Sequence, residues 1–163
     1  AAGNYSEALA ALAWYTNPRE ANYRRLNRQL RSGAQSALPP EARLLDELLT
    51  AAPPLDPPGL TLWRGMSSAA YVGYVVRDRE TTVVDKAYMS CSLQQTVGTF
   101  YARRHALLPE DLDDALLLRI EVPSGTHVLC AACDARGGVQ GEEEVLLPRG
   151  SLLRIERVTP RDV

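Results

Sequence analysis

Three short stretches hold residues whose types and spacing could do chemistry. In Leu62-Trp63-Arg64-Gly65 an arginine stands near the end of an alternating run, and glycine follows it. A guanidinium there can fork onto a phosphate, while glycine lets a ligand approach the backbone. In Tyr88-Met89-Ser90-Cys91-Ser92 two hydroxyls alternate. On a strand they face one side and can hold a carboxylate or a ribose. In Gln140-Gly141-Glu142-Glu143-Glu144 three carboxylates lead into Val145-Leu146-Leu147. Extended backbone puts Glu142 and Glu144 on one face, where two like charges resist joint ionisation. Taken singly, each stretch also fits a plain role: a surface arginine before a turn, a Ser-x-Ser strand, a solvated acidic turn.

The elements that must position these residues follow from periodicity. Asn4 or Ser6 can cap a first helix carrying Leu9, Leu12 and Trp14. Asn17-Pro18-Arg19-Glu20 predicts a second helix start, with Asn as cap, Pro in the first turn and Glu as return partner. Tyr23, Leu26 and Leu30 then share a face, and Gly33 stops the run. A third helix is predicted from about Glu41 to Ala51, between Pro39-Pro40 and Pro53-Pro54. After the proline-rich connector the period changes to two. Strands are predicted at Leu60–Arg64, Thr81–Val84, Ala87–Leu93, Ala115–Val122, His127–Ala131, Glu144–Leu147 and Leu152–Val158. Short helices are predicted over Ser67–Val76 and Gln94–Arg104, and a loop over Asp134–Gly141. Helices first and short strands after predict an α+β fold: N-terminal helices followed by a two-sheet β-sandwich core.

Length and composition bound the rest. The chain has 163 residues, which predicts one domain over 1–163, with a helical lead-in over 1–52 and a strand-rich core over 60–158. Hydrophobic residues make up 45% and charged residues 23%, which excludes disorder and fibrous classes. No apolar run approaches the ~20 residues that span a bilayer, so no membrane partner is expected. The start, with acidic Glu7 and no basic opening, predicts no signal peptide, and the absent initiator Met suggests a fragment of something longer. A net charge of −2 argues against bulk nucleic-acid affinity but leaves room for a local basic patch. The cysteines are Cys91, Cys130 and Cys133. His105 and His127 do not complete a zinc set with the C-x-x-C, so no metal is predicted. Plain thiols in a reducing compartment fit the odd count.

In their order, the three stretches resemble the R–S–E pattern of mono-ADP-ribosyltransferase toxins. The match is Arg64, then Tyr88-x-Ser90-Cys91-Ser92, then Glu142-x-Glu144 running into Val-Leu-Leu-Pro. Tyr15-Thr16, Tyr23, Asn27 and Leu30-Arg31 are similar to the family's helical lead-in, and Val122-Pro123-Ser124-Gly125-Thr126 to the strand-turn before its substrate loop. The likeness covers about Tyr15 to Val158. Cys91 replaces a usual Thr, Tyr88 a common Phe, and Cys130–Gly141 holds no aromatic residue to touch a protein target.

The resemblance implies the family fold, with an NAD cleft between the sheets, and cleavage of the nicotinamide–ribose bond of NAD. Glu144 would stabilise the oxocarbenium-like transition state. Ser90 would bond Glu144 and fix its rotamer, and Arg64 would hold an NAD phosphate. Gly65, Tyr88, Ser92 and Asn27 complete the implied cofactor-binding set. Glu142 would orient an acceptor guanidinium and take its proton, since Glu-x-Glu members usually modify arginine. Glu143 would face solvent as a bystander. The family habit implies a secreted or delivered effector acting in the target-cell cytoplasm, in bacterial competition, with a cognate immunity protein. Two enzymatic alternatives stay open. One is modification of RNA, with Arg19, Arg24, Arg25, Arg28 and Arg31 touching its backbone. The other is transfer to water, an NAD glycohydrolase. A non-enzymatic module is disfavoured by the intact Arg64, Ser90 and Glu144.

Overall fold

Glycines and prolines cut the N-terminal third into helices, and a hydrophobic pattern of period two takes over beyond Pro58. The computed structural model describes residues 2–17, 19–20, 22–33, 37–67, 82–105, 115–131 and 143–154. Helix α1 spans Ala2–Tyr15, α2 Asn22–Ser32 and α3 Pro40–Ala51. The Thr16 hydroxyl donates to the Leu12 carbonyl at 2.9 Å and closes the end of α1. Gly33, at φ +62°, ends α2 in the left-handed conformation that suits glycine. Pro40 opens α3 at its first position, where a missing N–H costs nothing.

The start of α2 corrects the sequence expectation. Asn17 does not cap it; its Oδ1 accepts from the Arg19 N–H at 3.0 Å in a local turn. The helix begins at Asn22 instead. That buried amide donates to the Trp14 carbonyl at 3.1 Å and to Glu20 at 2.7 Å, tying α1 to α2.

The strands are β1 Leu60–Ser67, β2 Thr82–Asp85, β3 Met89–Ser92, β4 Ala115–Val122, β5 Leu129–Cys130, β6 Glu144–Leu147 and β7 Ser151–Arg154, with helix α4 over Gln95–His105. A five-stranded antiparallel sheet has the order β4-β1-β3-β6-β5, and β2 pairs with β7 in a second sheet. The β1–β4 ladder runs from Leu60 opposite Val122 to Ser67 opposite Ala115. By contrast, β1 and β3 share a single pair, Trp63 opposite Ser92. Strand β5 is shorter than predicted, because His127 leaves the sheet to bridge Pro54 and its Nδ1 lies 2.6 Å from the Ala52 carbonyl. The helix predicted over 67–76 lies outside the described residues apart from Ser67, which ends β1. Cys133, the 134–141 loop and the continuation of β7 past 154 also lie outside them.

Alternation along β3 and β6 sends side chains to two cores. On one face Tyr88, Leu129 and Leu146 pack with Leu12, Tyr15, Leu26, Leu45 and Leu49 of α1–α3. On the other, Met89, Cys91, Val145 and Leu147 join Leu62, Ile120 and Val122, with Leu153 of the small sheet against them. The sheet is thus covered by helices on one side and by β2–β7 on the other. No helix among the described residues is long and apolar enough to cross a membrane.

Candidate active site

Register brings residues far apart in sequence to one place. Glu144, half-buried at the start of β6, stands opposite Ser92 of β3, which in turn stands opposite Trp63 of β1. Directly opposed side chains share a face, so these three form a row across the middle of the sheet. Ser90 lies two residues along β3, diagonal to Glu144 and within reach of a long carboxylate.

Arg64 follows Trp63. Its Nη1 donates to the Ser90 carbonyl at 2.7 Å, an acceptor beyond the single β1–β3 pair. Its Nε is buried and has no partner among the described residues. A buried guanidinium N–H left unmade is costly, so this atom suits an anionic oxygen brought by a ligand.

Beneath Ser90 sits Tyr15, fully buried at the end of α1. Its hydroxyl is bonded by the Asn27 amide at 2.9 Å and by the Ser90 hydroxyl, and Arg64 and Glu144 are close enough to act on it electrostatically. Burial is the main cause that pushes the Tyr15 phenol up to about 12; Glu144 adds to the rise, while the two hydrogen bonds and Arg64 oppose it. The sequence reading placed Tyr15 only in the lead-in. The Tyr15–Asn27 spacing was the available signal, but not its target. Asn27 is buried, also donates to the Tyr88 carbonyl at 3.3 Å, and keeps an Oδ1 with no partner among the described residues.

Several implied site residues have other duties. Tyr88 shares the sheet face of Ser90 and Ser92 but is fully buried under the helices, and its hydroxyl lies 2.7 Å from both the Ala42 carbonyl and Asp46 of α3. Burial and Asp46 raise its pKa, so it stays a neutral strut. Gly65 does not open the backbone to a ligand; a Cβ there would meet the α4 backbone at Gly98 and Ala102, 2.1 Å away. Its role is close packing of α4 on β1. The Ser92 hydroxyl accepts from the Gln94 N–H at 3.0 Å and turns the chain into α4. Cys91 points into the core on the opposite face, and burial pushes its thiol up to about 11.

Glu143 is exposed, as a bystander should be, and has φ +41°. This left-handed residue interrupts extended backbone before β6. Glu142 itself lies outside the described residues. No cluster of metal-ligating side chains occurs among the described residues.

A sheet that gathers Arg, Ser and Glu on three adjacent strands, with helices over one face and a small sheet over the other, is the architecture of ADP-ribosyltransferases. The model of the ADP-ribosyltransferase exoenzyme family matches residues 5–162, and the chain belongs to that family. It is an NAD-dependent mono-ADP-ribosyltransferase of the toxin type, with NAD as substrate. Similar solved structures include the C3 exoenzyme of Clostridium limosum, 21% identical, covering 92% of this chain and 78% of that one, TM-score 0.61. C3stau2 of S. aureus, solved with NAD, is 18% identical and covers 90% and 76%, TM-score 0.61. Exoenzyme S of Pseudomonas aeruginosa, solved with 14-3-3 protein beta and carba-NAD, is 16% identical and covers 90% and 64%, TM-score 0.63. At these identities the likeness is one of fold. No curated protein matches the chain.

Proposed function

We propose that NAD binds across Arg64, Ser90 and Glu144, and that the chain transfers ADP-ribose to an arginine side chain of a target-cell protein. The observation that carries the binding site is the buried, unpartnered Arg64 Nε beside Ser90, on the strand next to that of Ser90. Bound NAD supplies the nicotinamide–ribose bond that breaks. Arg64 offers its free N–H to a phosphate oxygen, and Asn27 offers Oδ1 to a donor on the substrate. Glu144 brings a fixed carboxylate to the positive charge that develops as the bond breaks. Glu142 receives the acceptor guanidinium and removes its proton.

The same reading makes the chain part of a secreted or delivered effector acting in the target-cell cytoplasm, in bacterial competition, with an immunity protein in its producer. RNA is the weaker acceptor. On α2, Arg24 and Arg25 lie 5.6 Å from the Tyr23 and Trp14 rings, and Arg31 pairs with buried Asp85 at 2.8 Å. Those arginines already have partners in their own chain.

The test is incubation of purified chain and adenylate-labelled NAD with target-cell lysate, followed by mass spectrometry of the protein and RNA fractions. Label on protein arginine supports the proposal. Label on RNA, falling steeply with salt, would transfer it to nucleic acid. Nicotinamide release without label would mean water is the acceptor, and no nicotinamide release would overturn the reading.

A further inference from the structure

We propose that the outer face of α2 is a docking surface for an acidic patch on the protein acceptor, with Arg24, Arg25 and Arg28 as its contacts. The choice of partner rests on the protein-acceptor function proposed above; the surface itself does not.

Helix α2 carries four arginines and no carboxylate. Arg31 is paired with buried Asp85 through two hydrogen bonds, at 2.8 and 3.1 Å. Arg24, Arg25 and Arg28 are exposed and have no carboxylate partner among the described residues. Arg24 and Arg28 stand four apart, a like-charge spacing that weakens a helix, so folding alone gives no reason for it. At 3.6 residues per turn, Arg24, Arg28 and Arg25 lie about 60°, 100° and 160° round the helix from Asn27. They form one stripe that begins beside Asn27. That buried amide is anchored to the Tyr88 carbonyl at 3.3 Å, two residues before Ser90. The stripe thus runs outward from the wall of the candidate site.

Aromatic rings hold two of the three guanidinia in place. The Arg25 Cζ lies 5.6 Å from the centre of the Trp14 ring, and the Arg24 Cζ 5.6 Å from that of Tyr23, whose hydroxyl accepts from Arg24 Nε at 2.8 Å. Stacking orients a guanidinium without neutralising it, so its remaining N–H groups meet a carboxylate with little rotamer freedom left to lose. Both rings also pack against the helical core. With core on one side and a guanidinium on the other, they offer no platform for a nucleic-acid base and no wedge for a bilayer. Arg, Trp and Tyr without Lys, Asp or Glu is instead the make-up of protein–protein contacts. A net charge of −2 gives the chain as a whole no general attraction for acidic proteins, so a local basic stripe also sets the orientation of approach. Contacts here hold the acceptor protein beside the cleft without touching NAD.

The test compares wild type, R28E, R24Q/R25Q/R28Q and, as a control for net charge, R43E on the exposed side of α3. Two assays are run on each: label incorporated into lysate protein, and nicotinamide released without lysate. Melting temperatures check the fold; Arg28 stacks on no ring among the described residues, so R28E leaves the aromatic contacts in place. Protein labelling should fall about 3- to 10-fold in R28E and about 10-fold or more in the triple variant, within the range of electrostatic steering, with nicotinamide release within about twofold of wild type throughout. Raising salt from about 50 to 300 mM should lower wild-type labelling and leave the triple variant nearly flat. Unchanged labelling in the triple variant, an equal fall in R43E, or a parallel fall in nicotinamide release would each overturn the proposal. A binding assay stands apart from activity: fluorescent polyglutamate and a uridylate oligonucleotide of equal charge by anisotropy, and phosphatidylserine vesicles by co-sedimentation. Polyglutamate should bind wild type most tightly and the triple variant far less. Tighter binding of the oligonucleotide or the vesicles would overturn the proposal and assign the surface to nucleic acid or membrane. If wild type labels no protein, the proposed function falls while this titration still decides what the surface binds.

Discussion

Replacing Arg64 by lysine and by alanine separates the two jobs of its guanidinium. Nη1 supports the fold by donating to the Ser90 carbonyl at 2.7 Å, while the buried Nε has no partner among the described residues and is assigned to NAD. Alanine removes both and strands a strand carbonyl, at a cost of about 1–3 kcal/mol in stability. For a chain of this size each kcal/mol shifts the melting temperature by roughly 2–4 °C, so a fall of about 2–12 °C is expected. Lysine can keep one N–H near Ser90 but has no planar fork. Its melting temperature should stay within about 3 °C of wild type, by the same conversion. A charge-assisted bond contributes roughly 1.5–3 kcal/mol, so NAD affinity should fall about 10- to 150-fold in both variants. Calorimetric titration with NAD and thermal unfolding read the two effects separately. Wild-type NAD affinity in the lysine variant would show that the unpaired Nε is not a ligand contact. Wild-type affinity in the alanine variant, with only the melting temperature lowered, would reduce Arg64 to a cap on Ser90.

Glu144→Gln should keep the fold and NAD affinity while nicotinamide release falls by roughly 10²-fold or more, the scale of losing one preorganised electrostatic group; near-normal turnover would sink the assignment. Glu142→Ala should abolish labelling of the macromolecular acceptor and leave much of the NAD hydrolysis, since water needs less orientation than a guanidinium; paired label and nicotinamide assays decide, and equal loss in both would count against it. Gly65→Ala should destabilise the protein by about 3 kcal/mol, at the upper end for overpacking, because the new methyl meets backbone rather than a flexible side chain; an unchanged melting temperature would contradict the α4–β1 contact. The Tyr15 phenol is raised from 10.0 to about 12 in the fold, so the unfolded chain loses that proton first, and stability should decline as pH rises from about 10 to 12. Tyr15→Phe should flatten that decline, and denaturant unfolding at stepped pH would show whether it does.

Sequence alone determined the elements whose signals are local. Leu45, Leu48 and Leu49 between proline pairs mark α3, and the observed helix differs from the predicted one by a residue at its start. Ala115–Val122 and Glu144–Leu147 form strands over the residues read as strands, because their apolar runs are bounded by turn residues. The order of Arg64, Ser90 and Glu144 was likewise legible, being a matter of residue type and spacing. What tertiary structure decided is where each side chain's polar atoms end. Asn17 looked like a cap, yet Asn22 found the Trp14 carbonyl and took over the junction. Gly65 suited a ligand until α4 closed on it, and Tyr88 suited the cofactor until Asp46 of α3 received its hydroxyl. Tyr15 lies 12 residues from Asn27, and Asn27 lies 61 from Tyr88. Periodicity and capping act within a few residues, whereas these contacts exist only once strand register and helix packing have brought distant segments together.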